Sequence, residues 1–412
     1  MRECILTYSE IDREEWSRLV ATSATGTWFQ TPEAYCFYKS LPDIFRPFVV
    51  AVERVRELEN ERVSELKGIC VGYVTIEKCA IKQMMTRRAI ILGGPALADD
   101  ACSEEVELLM KAVREQLQVS DFRFQVLDAP IYVETRNFND YSRWKEAFER
   151  AGFSYKPHLN FHVDCTDKEK MWERLSENRK RQMRHARGAG VTIADLRLEI
   201  GNCKLQVDDC RLQVADSTEF EIREWYEILE RLYKTKVKTP LWPVEFFLEA
   251  YRQGIGKYLM VKYNGKVIGG LMMVEWRKGG KELENERIRE LENVGIKELM
   301  NEGINELKSE RINELTNEGT VYEWFECGLN AEYKEQYPAV MATWAGMEYA
   351  AEHDIPRCDF MGAGEPGVPY GVRDFKEKFG GELVEHGRFL YIAKPMLYQI
   401  GKLGVKILKR IR

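Results

Sequence analysis

Six cationic or titratable side chains crowd one short stretch, Arg179, Lys180, Arg181, Arg184, His185 and Arg187, on a predicted helix that ends at Gly188–Gly190. Such a helix either solvates its cations beside its own negative C-terminal end or clamps a polyanion such as a nucleotide diphosphate, coenzyme A or tRNA. A second concentration of usable groups lies in 321–381. There Asp359 closes a short strand, and Tyr370, Phe375 and Lys376 follow a glycine-bearing loop. Other chemistries lack their patterns. The five histidines are scattered and no Gly-x-Ser-x-Gly elbow occurs. Gly362-Ala363-Gly364 follows a strand, but Pro366 interrupts the helix that a dinucleotide loop requires. Ten cysteines without CxxC pairs or a Cys/His cluster argue for reduced thiols rather than a zinc site or a disulfide framework.

The elements that position these groups read as follows. Residues 321–327 are aromatic and β-favouring and close on Gly328. Pro338 suits a first helical turn, and Met341, Trp344, Ala345 and Tyr349 recur at helical spacing until His353-Asp354. Residues 358–361 form a second short strand. A strand–helix–strand crossover of this size gives a parallel pair, and ligands tend to sit where such strands end. Upstream, strands are expected at 4–8, 48–52, 69–76 and 122–127, and helices at 11–20, 104–118, 141–152, 220–234 and 243–252. Thr31-Pro32 starts a further helix bearing Tyr35, Tyr38 and Lys39, with Trp28 and Phe29 before it as core. Asn264-Gly265 turns a hairpin between 257–263 and 266–276. Gly269-Gly270 inside its second strand signals a bulge or a close backbone approach to a ligand.

A chain of 412 residues has room for two domains, read as 1–165 and 166–395, followed by a tail, 396–412. The N-terminus has no apolar run and no stretch is apolar enough to span a bilayer, so a cytoplasmic protein is expected. The net charge of −6 is concentrated in three repetitive segments: 53–67 and 196–216 carry −1 each and 279–319 carries −5, leaving the remainder near +1. An eight-residue unit recurs in 279–319 and 55–67, and a seven-residue unit in 196–216. An octad stripe drifts around any helix, so these segments are expected to be half-helical, mobile loop expansions. The tail from Met396 places Leu397, Ile400, Leu403, Ile407, Leu408 and Ile411 on one helical face, with Lys402, Lys406, Lys409 and Arg412 on the other. This is the pattern of either an interfacial helix or a docked terminal one.

Gly328, Pro338, Asp359-Phe360-Met361-Gly362 and Phe375-Lys376-Glu377-Lys378-Phe379-Gly380, in this order and spacing, resemble the FemAB-type transferases, relatives of the GNAT acyltransferases. Phe29-Gln30, the Gly93-Gly94-Pro95 turn and the Asn178-bearing basic helix fit the same pattern. The resemblance implies an α/β fold of two tandem GNAT-like domains with repeat insertions in hairpin loops. It also implies transfer of an acyl or aminoacyl group to an amine, with Phe375 and Lys376 as the oxyanion-stabilising pair and Asp359 as the group that orients or deprotonates the amine. Lys39, Asn178, Arg179, Arg184, Tyr337 and Tyr370 are the implied substrate contacts. The loop from Leu329 to Tyr337 lacks the glycines with which GNAT enzymes hold a pyrophosphate. The donor is therefore open between acyl-CoA and aminoacyl-tRNA, with no tightly bound cofactor and no metal. The implied acceptor is a small or lipid-linked envelope amine, with tRNA a possible partner and membrane contact through 396–412. The rival reading is an inactive GNAT-like binding module or a membrane-surface scaffold.

Overall fold

The computed structural model describes residues 2–58, 61–77, 83, 86–118, 129–196, 208–237, 239–278 and 318–411. The strand expected at 122–127, the octad repeat up to residue 317 and most of the 196–216 repeat lie outside the described residues.

The chain forms two compact units. The first holds Met1–His158 and Glu385–Arg412; the second holds Leu159–Arg277 and residues 318–384. In the first, β1 (Arg2–Thr7), α1 (Arg13–Thr22) and α2 (Pro32–Lys39) precede the long strands β2 (Phe45–Leu58) and β3 (Glu61–Thr75). Then come β4 (Arg88–Gly93), β5 (Ala96–Leu97), α3 (Ser103–Gln118), β6 (Tyr132–Asn137), α4 (Lys145–Arg150) and β7 (Ser154–Lys156). Thr31 caps α2 by accepting from Ala34 N at 3.1 Å, with Pro32 in the first turn. The sheet order is β1-β2-β3-β4-β6-β15-β7, with β5 on β3. Strand β15 (Arg388–Ile392), read from sequence with the second domain, lies antiparallel between β6 and β7 of this first sheet. Trp28 and Phe29 are buried core residues.

The 53–67 repeat differs from the half-helical loop expected. It extends the β2–β3 hairpin as strand, with Arg54 opposite Glu65 and Val55 opposite Ser64, and β1 pairs along it as far as Val55. Pairing two octads antiparallel sets a cation against an acid across the ladder, a gain that a drifting helical stripe cannot offer. Arg54 then reaches α3: its Nε lies 2.6 Å from Glu105 and its Nη1 2.9 Å from Asp100, which also receives Lys67 at 2.9 Å. The Glu105 side chain is 1% exposed. Arg54→Ala should therefore leave a buried carboxylate unpaired and destabilise the protein by about 3 kcal/mol; chemical denaturation at neutral pH measures the loss.

The second unit contains β8 (Leu159–Asp164), α5 (Lys168–Arg174), α6 (Glu177–Gly188), β9 (Thr192–Asp195), α7 (Asp208–Leu232), α8 (Val244–Arg252), β10 (Gly256–Tyr263) and β11 (Lys266–Arg277). After the undescribed repeat come β12 (Gly319–Gly328), α9 (Pro338–Glu352), β13 (Arg357–Gly362), α10 (Gly371–Glu377) and β14 (Glu382–Glu385). The sheet order is β14-β8-β13-β12-β11-β10-β9, with β12 and β13 parallel as the crossover requires. Helix α9 is apolar nearly all round and buried, packing Met341, Trp344 and Met347 with Phe161, Leu271, Val321 and Phe360. Asn264 (φ 51°) and Gly265 (φ 77°) are both left-handed, as the tight β10–β11 turn demands. The bulge expected at Gly269-Gly270 is present: Val261 opposes Gly269 and Lys262 opposes Val267, so Ile268 is the extra residue. A Cβ on Gly269 would lie 2.7 Å from Cys327 O, and one on Gly270 would lie 2.8 Å from Leu259 O.

Candidate active site where two parallel strands part

Strands β12 and β13 pair only from Thr320/Arg357 to Tyr322/Asp359. Beyond that point β12 follows β11, while β13 follows β8. The parting coincides with a bulge. Met273 opposes Glu323 and its neighbour Met272 opposes Phe325, so Trp324 is the extra residue. Residues three apart on a regular strand face opposite sides. The extra residue brings Glu323 and Glu326 to the same side, toward α9. A Cβ on Gly346 of α9 would lie 2.5 Å from Glu323 Oε1, so the carboxyl packs directly against this glycine. Glu326 lies near Thr343, one turn earlier on α9, whose hydroxyl donates to Ala339 O at 3.1 Å.

Among the described residues, these two are the carboxyls raised furthest above their ordinary value. Glu323 is 6% exposed and accepts from Cys358 Sγ at 3.6 Å. Burial pushes its carboxyl well above the usual range; the neighbouring Glu326 adds to this, and Lys376 opposes it. Glu326 is half-buried. Desolvation raises it to about 7 against the opposing pull of Lys376, Thr343 and Arg179. It therefore stands between protonated and ionised at neutral pH.

The half-buried Lys376 comes from α10, and its Nζ donates to Phe360 O at 2.5 Å and Gly362 O at 2.9 Å. Burial holds the ammonium below the ordinary lysine range, although Glu326, Glu323 and Asp359 pull the other way. Arg179 enters from α6, 6% exposed, with its guanidinium 4.4 Å from the Phe375 ring centroid and 4.9 Å from that of Phe379. It also donates to Phe375 O at 3.3 Å and to Gln182 at 2.7 Å. Arg179 and Phe375 thus pack as one body beside Lys376, whose charge acts on both acids.

Asp359 is sealed beside them, 1% exposed. Its Oδ1 accepts from Met361 N at 2.6 Å, and its Oδ2 lies 3.3 Å from His162 Nε2. Burial would raise this carboxyl, but His162, Arg357 and the Met361 amide outweigh it and hold it below the ordinary range. The remaining expected contacts are more dispersed. Tyr337, left-handed at φ 47°, precedes α9, with its ring 6.2 Å from that of His185. Tyr370 precedes α10 and is exposed. Asn178 and Arg184 are exposed on α6. Asn178 accepts from Arg181, and the Arg184 guanidinium lies 5.6 Å from the Trp172 ring centroid. Lys39 belongs to the first unit, exposed in the last turn of α2 and 5.3 Å from the Tyr8 ring centroid. The basic helix is also less cationic than its sequence: Arg187 pairs with Glu348 at 3.0 Å and Lys180 with Glu177 at 2.7 Å.

Sequence reading missed Glu323 and Glu326. The available signal was two acids inside the otherwise apolar run Val321-Tyr322-Glu323-Trp324-Phe325-Glu326-Cys327.

The stretch that builds this site carries a recognisable sequence pattern. Residues 306–406 match the FemAB family. That FemAB match takes in β12, α9, β13 and α10, hence Glu323, Glu326, Asp359, Phe375 and Lys376. The crystal structure of FemX superposes with a TM-score of 0.55 at 14% identity, covering 97% of this chain and 99% of FemX; this likeness shows the fold across both units. The C-terminal (DUF2156) domain of a putative lysylphosphatidylglycerol synthetase from Agrobacterium fabrum gives 0.45 at 10% identity, over 86% of this chain and 88% of that one. The L-PGS structure from Bacillus licheniformis gives 0.44 at 9%, over 95% and 96%. No curated protein matches the sequence. The α/β architecture expected from the FemAB resemblance is the architecture found.

Proposed function

We propose that this chain is a FemAB-type transferase that moves an acyl or aminoacyl group, from acyl-CoA or aminoacyl-tRNA, onto an amine of a peptidoglycan or lipid envelope precursor. The observation that carries this reading is Glu326: a half-buried carboxyl raised to about 7, beside the Lys376 ammonium, where β12 and β13 part. An acceptor amine arrives as an ammonium ion. Glu326 takes one of its protons, which frees the nitrogen lone pair to attack the donor carbonyl carbon. The new C–N bond leaves a negative oxygen on that carbon. Lys376 has three N–H donors, two of them held by Phe360 O and Gly362 O, so its charge and third donor serve that oxygen. Collapse expels the CoA thiolate or the tRNA hydroxyl oxygen, which takes up the second proton released from the nitrogen, and the neutral amide remains, Glu326 returning its proton to solvent.

The deprotonating role expected of Asp359 passes to Glu326 in this proposal. Asp359 is already ionised, buried and committed to His162 and Met361, and it acts by fixing the end of β13. Arg179 and Phe375 position α10. We assign acceptor contacts to Asn178, Arg184, Tyr337 and Tyr370 of the second unit, and propose a cytoplasmic location, where both donor classes occur. The test incubates the protein separately with acyl-CoA and with charged tRNA, each with envelope precursors, and weighs the products. An acceptor heavier by one acyl or aminoacyl group is expected with one donor. Folded protein that yields no such adduct with either donor refutes the proposal.

A further inference from the structure

The last helix of the chain, α11 (Pro395–Ile411), is fastened at its start to the first sheet. Ala393 N and Lys394 N both donate to Ile131 O, at 2.9 and 3.0 Å, and Lys394 Nζ donates to Ala129 O at 2.8 Å. One turn on, the Tyr398 ring meets the Tyr132 ring of β6 edge-on at 5.6 Å. Leu397 and Tyr398 are accordingly half-buried. Met396, Ile400 and Leu403 are not covered: they are 81%, 49% and 59% exposed, and their spacing of four and three residues aligns them in one stripe. Lys402, also exposed, adjoins that stripe. Within 395–412 the sequence has five cations, Lys402, Lys406, Lys409, Arg410 and Arg412, and no acid, in a chain whose net charge is −6.

We propose that α11 is a docking helix for an anionic lipid surface. A bare apolar stripe on an acid-free basic helix gains both from inserting its side chains below the headgroups and from attraction to the headgroup charge. RNA would satisfy the cations and leave Met396, Ile400 and Leu403 in water. A second copy would cover the stripe but would bring five cations against five. Among the described residues no helix is long and apolar enough to cross a membrane, and a single amphipathic helix binds reversibly. The inference stands apart from the transfer chemistry, since none of its residues belongs to the candidate site.

The test co-sediments the intact protein with vesicles of phosphatidylcholine plus phosphatidylglycerol, and with phosphatidylcholine alone. Binding is expected to the first, little to the second, and release at high salt. The double variant Ile400→Glu/Leu403→Glu should bind anionic vesicles roughly tenfold more weakly or worse. Lys402→Glu, reversing an exposed charge whose ammonium lies 5.6 Å from the Tyr398 ring centroid, should also weaken binding. Wild type that ignores both vesicle types, or variants that bind as wild type does, overturn the proposal. A wild-type dimer that the double variant dissociates also overturns it, by giving the stripe to a second copy.

Discussion

Lys376→Ala should slow transfer severely and loosen the second unit together. The sequence suggests a purely catalytic lysine, whose loss leaves the fold intact. The structure gives it a second task, because its Nζ ties α10 to the carbonyls of Phe360 and Gly362 at the end of β13. Loss of hydrogen bonds from a charged donor to buried carbonyls costs about 1.5–3 kcal/mol. Removing a donor that faces a developing oxyanion slows turnover roughly 10²–10³-fold. A third consequence separates these two. Lys376 pulls Glu326 down, so in the variant Glu326 should rise beyond about 7 and any residual activity should need a higher pH. Urea denaturation, single-turnover transfer and its pH dependence read the three effects. Near-native turnover with an unchanged denaturation midpoint would exclude both tasks.

Local signals carried the sequence reading where structure is local. Pro338 at a first turn, the apolar spacing after it and the Asn264-Gly265 turn each fix their own element without help from elsewhere. Asp359, expected at a strand end, lies inside β13 at the last residue paired with β12, and its behaviour depends on His162 of β8, almost two hundred residues earlier in the chain. The acid pair was hidden for a related reason. Its shared face exists because β11 forces a bulge at Trp324, and alternation along β12 alone puts Glu323 and Glu326 on opposite sides. The 53–67 repeat misled because an isolated octad was judged as a helix. Its strand state is selected by cross-strand pairing and by Glu105 and Asp100, which only the folded chain brings to Arg54 and Lys67. Strand β15 shows the same limit: its sequence says strand, while its sheet is chosen by β6 and β7.

Glu326→Gln should remove the neutral-pH limb of transfer and at the same time make the protein more stable in alkali. For catalysis the ionised carboxylate is the working form, so wild-type rates should climb as pH rises through about 7 and level off above it. The amide cannot accept the proton, and a loss of roughly 10²–10⁴-fold is expected, with that limb gone. Stability runs the other way. The folded-state value, about 7, lies above the ordinary 4.5 of the unfolded chain. Between these limits the native state binds the extra proton and the unfolded state does not, so stability falls as pH rises from 4.5 to about 7 and stays lower beyond. Glutamine is neutral throughout and should recover on the order of 1–3 kcal/mol above pH 7, allowing for solvent screening at a half-buried group coupled to Glu323. A gain in melting temperature at alkaline pH together with lost transfer would mark Glu326 as a carboxyl kept at a cost in stability for its chemistry. Lost transfer without that gain would mean that Glu326 serves the packing of β12 and that the proton goes elsewhere.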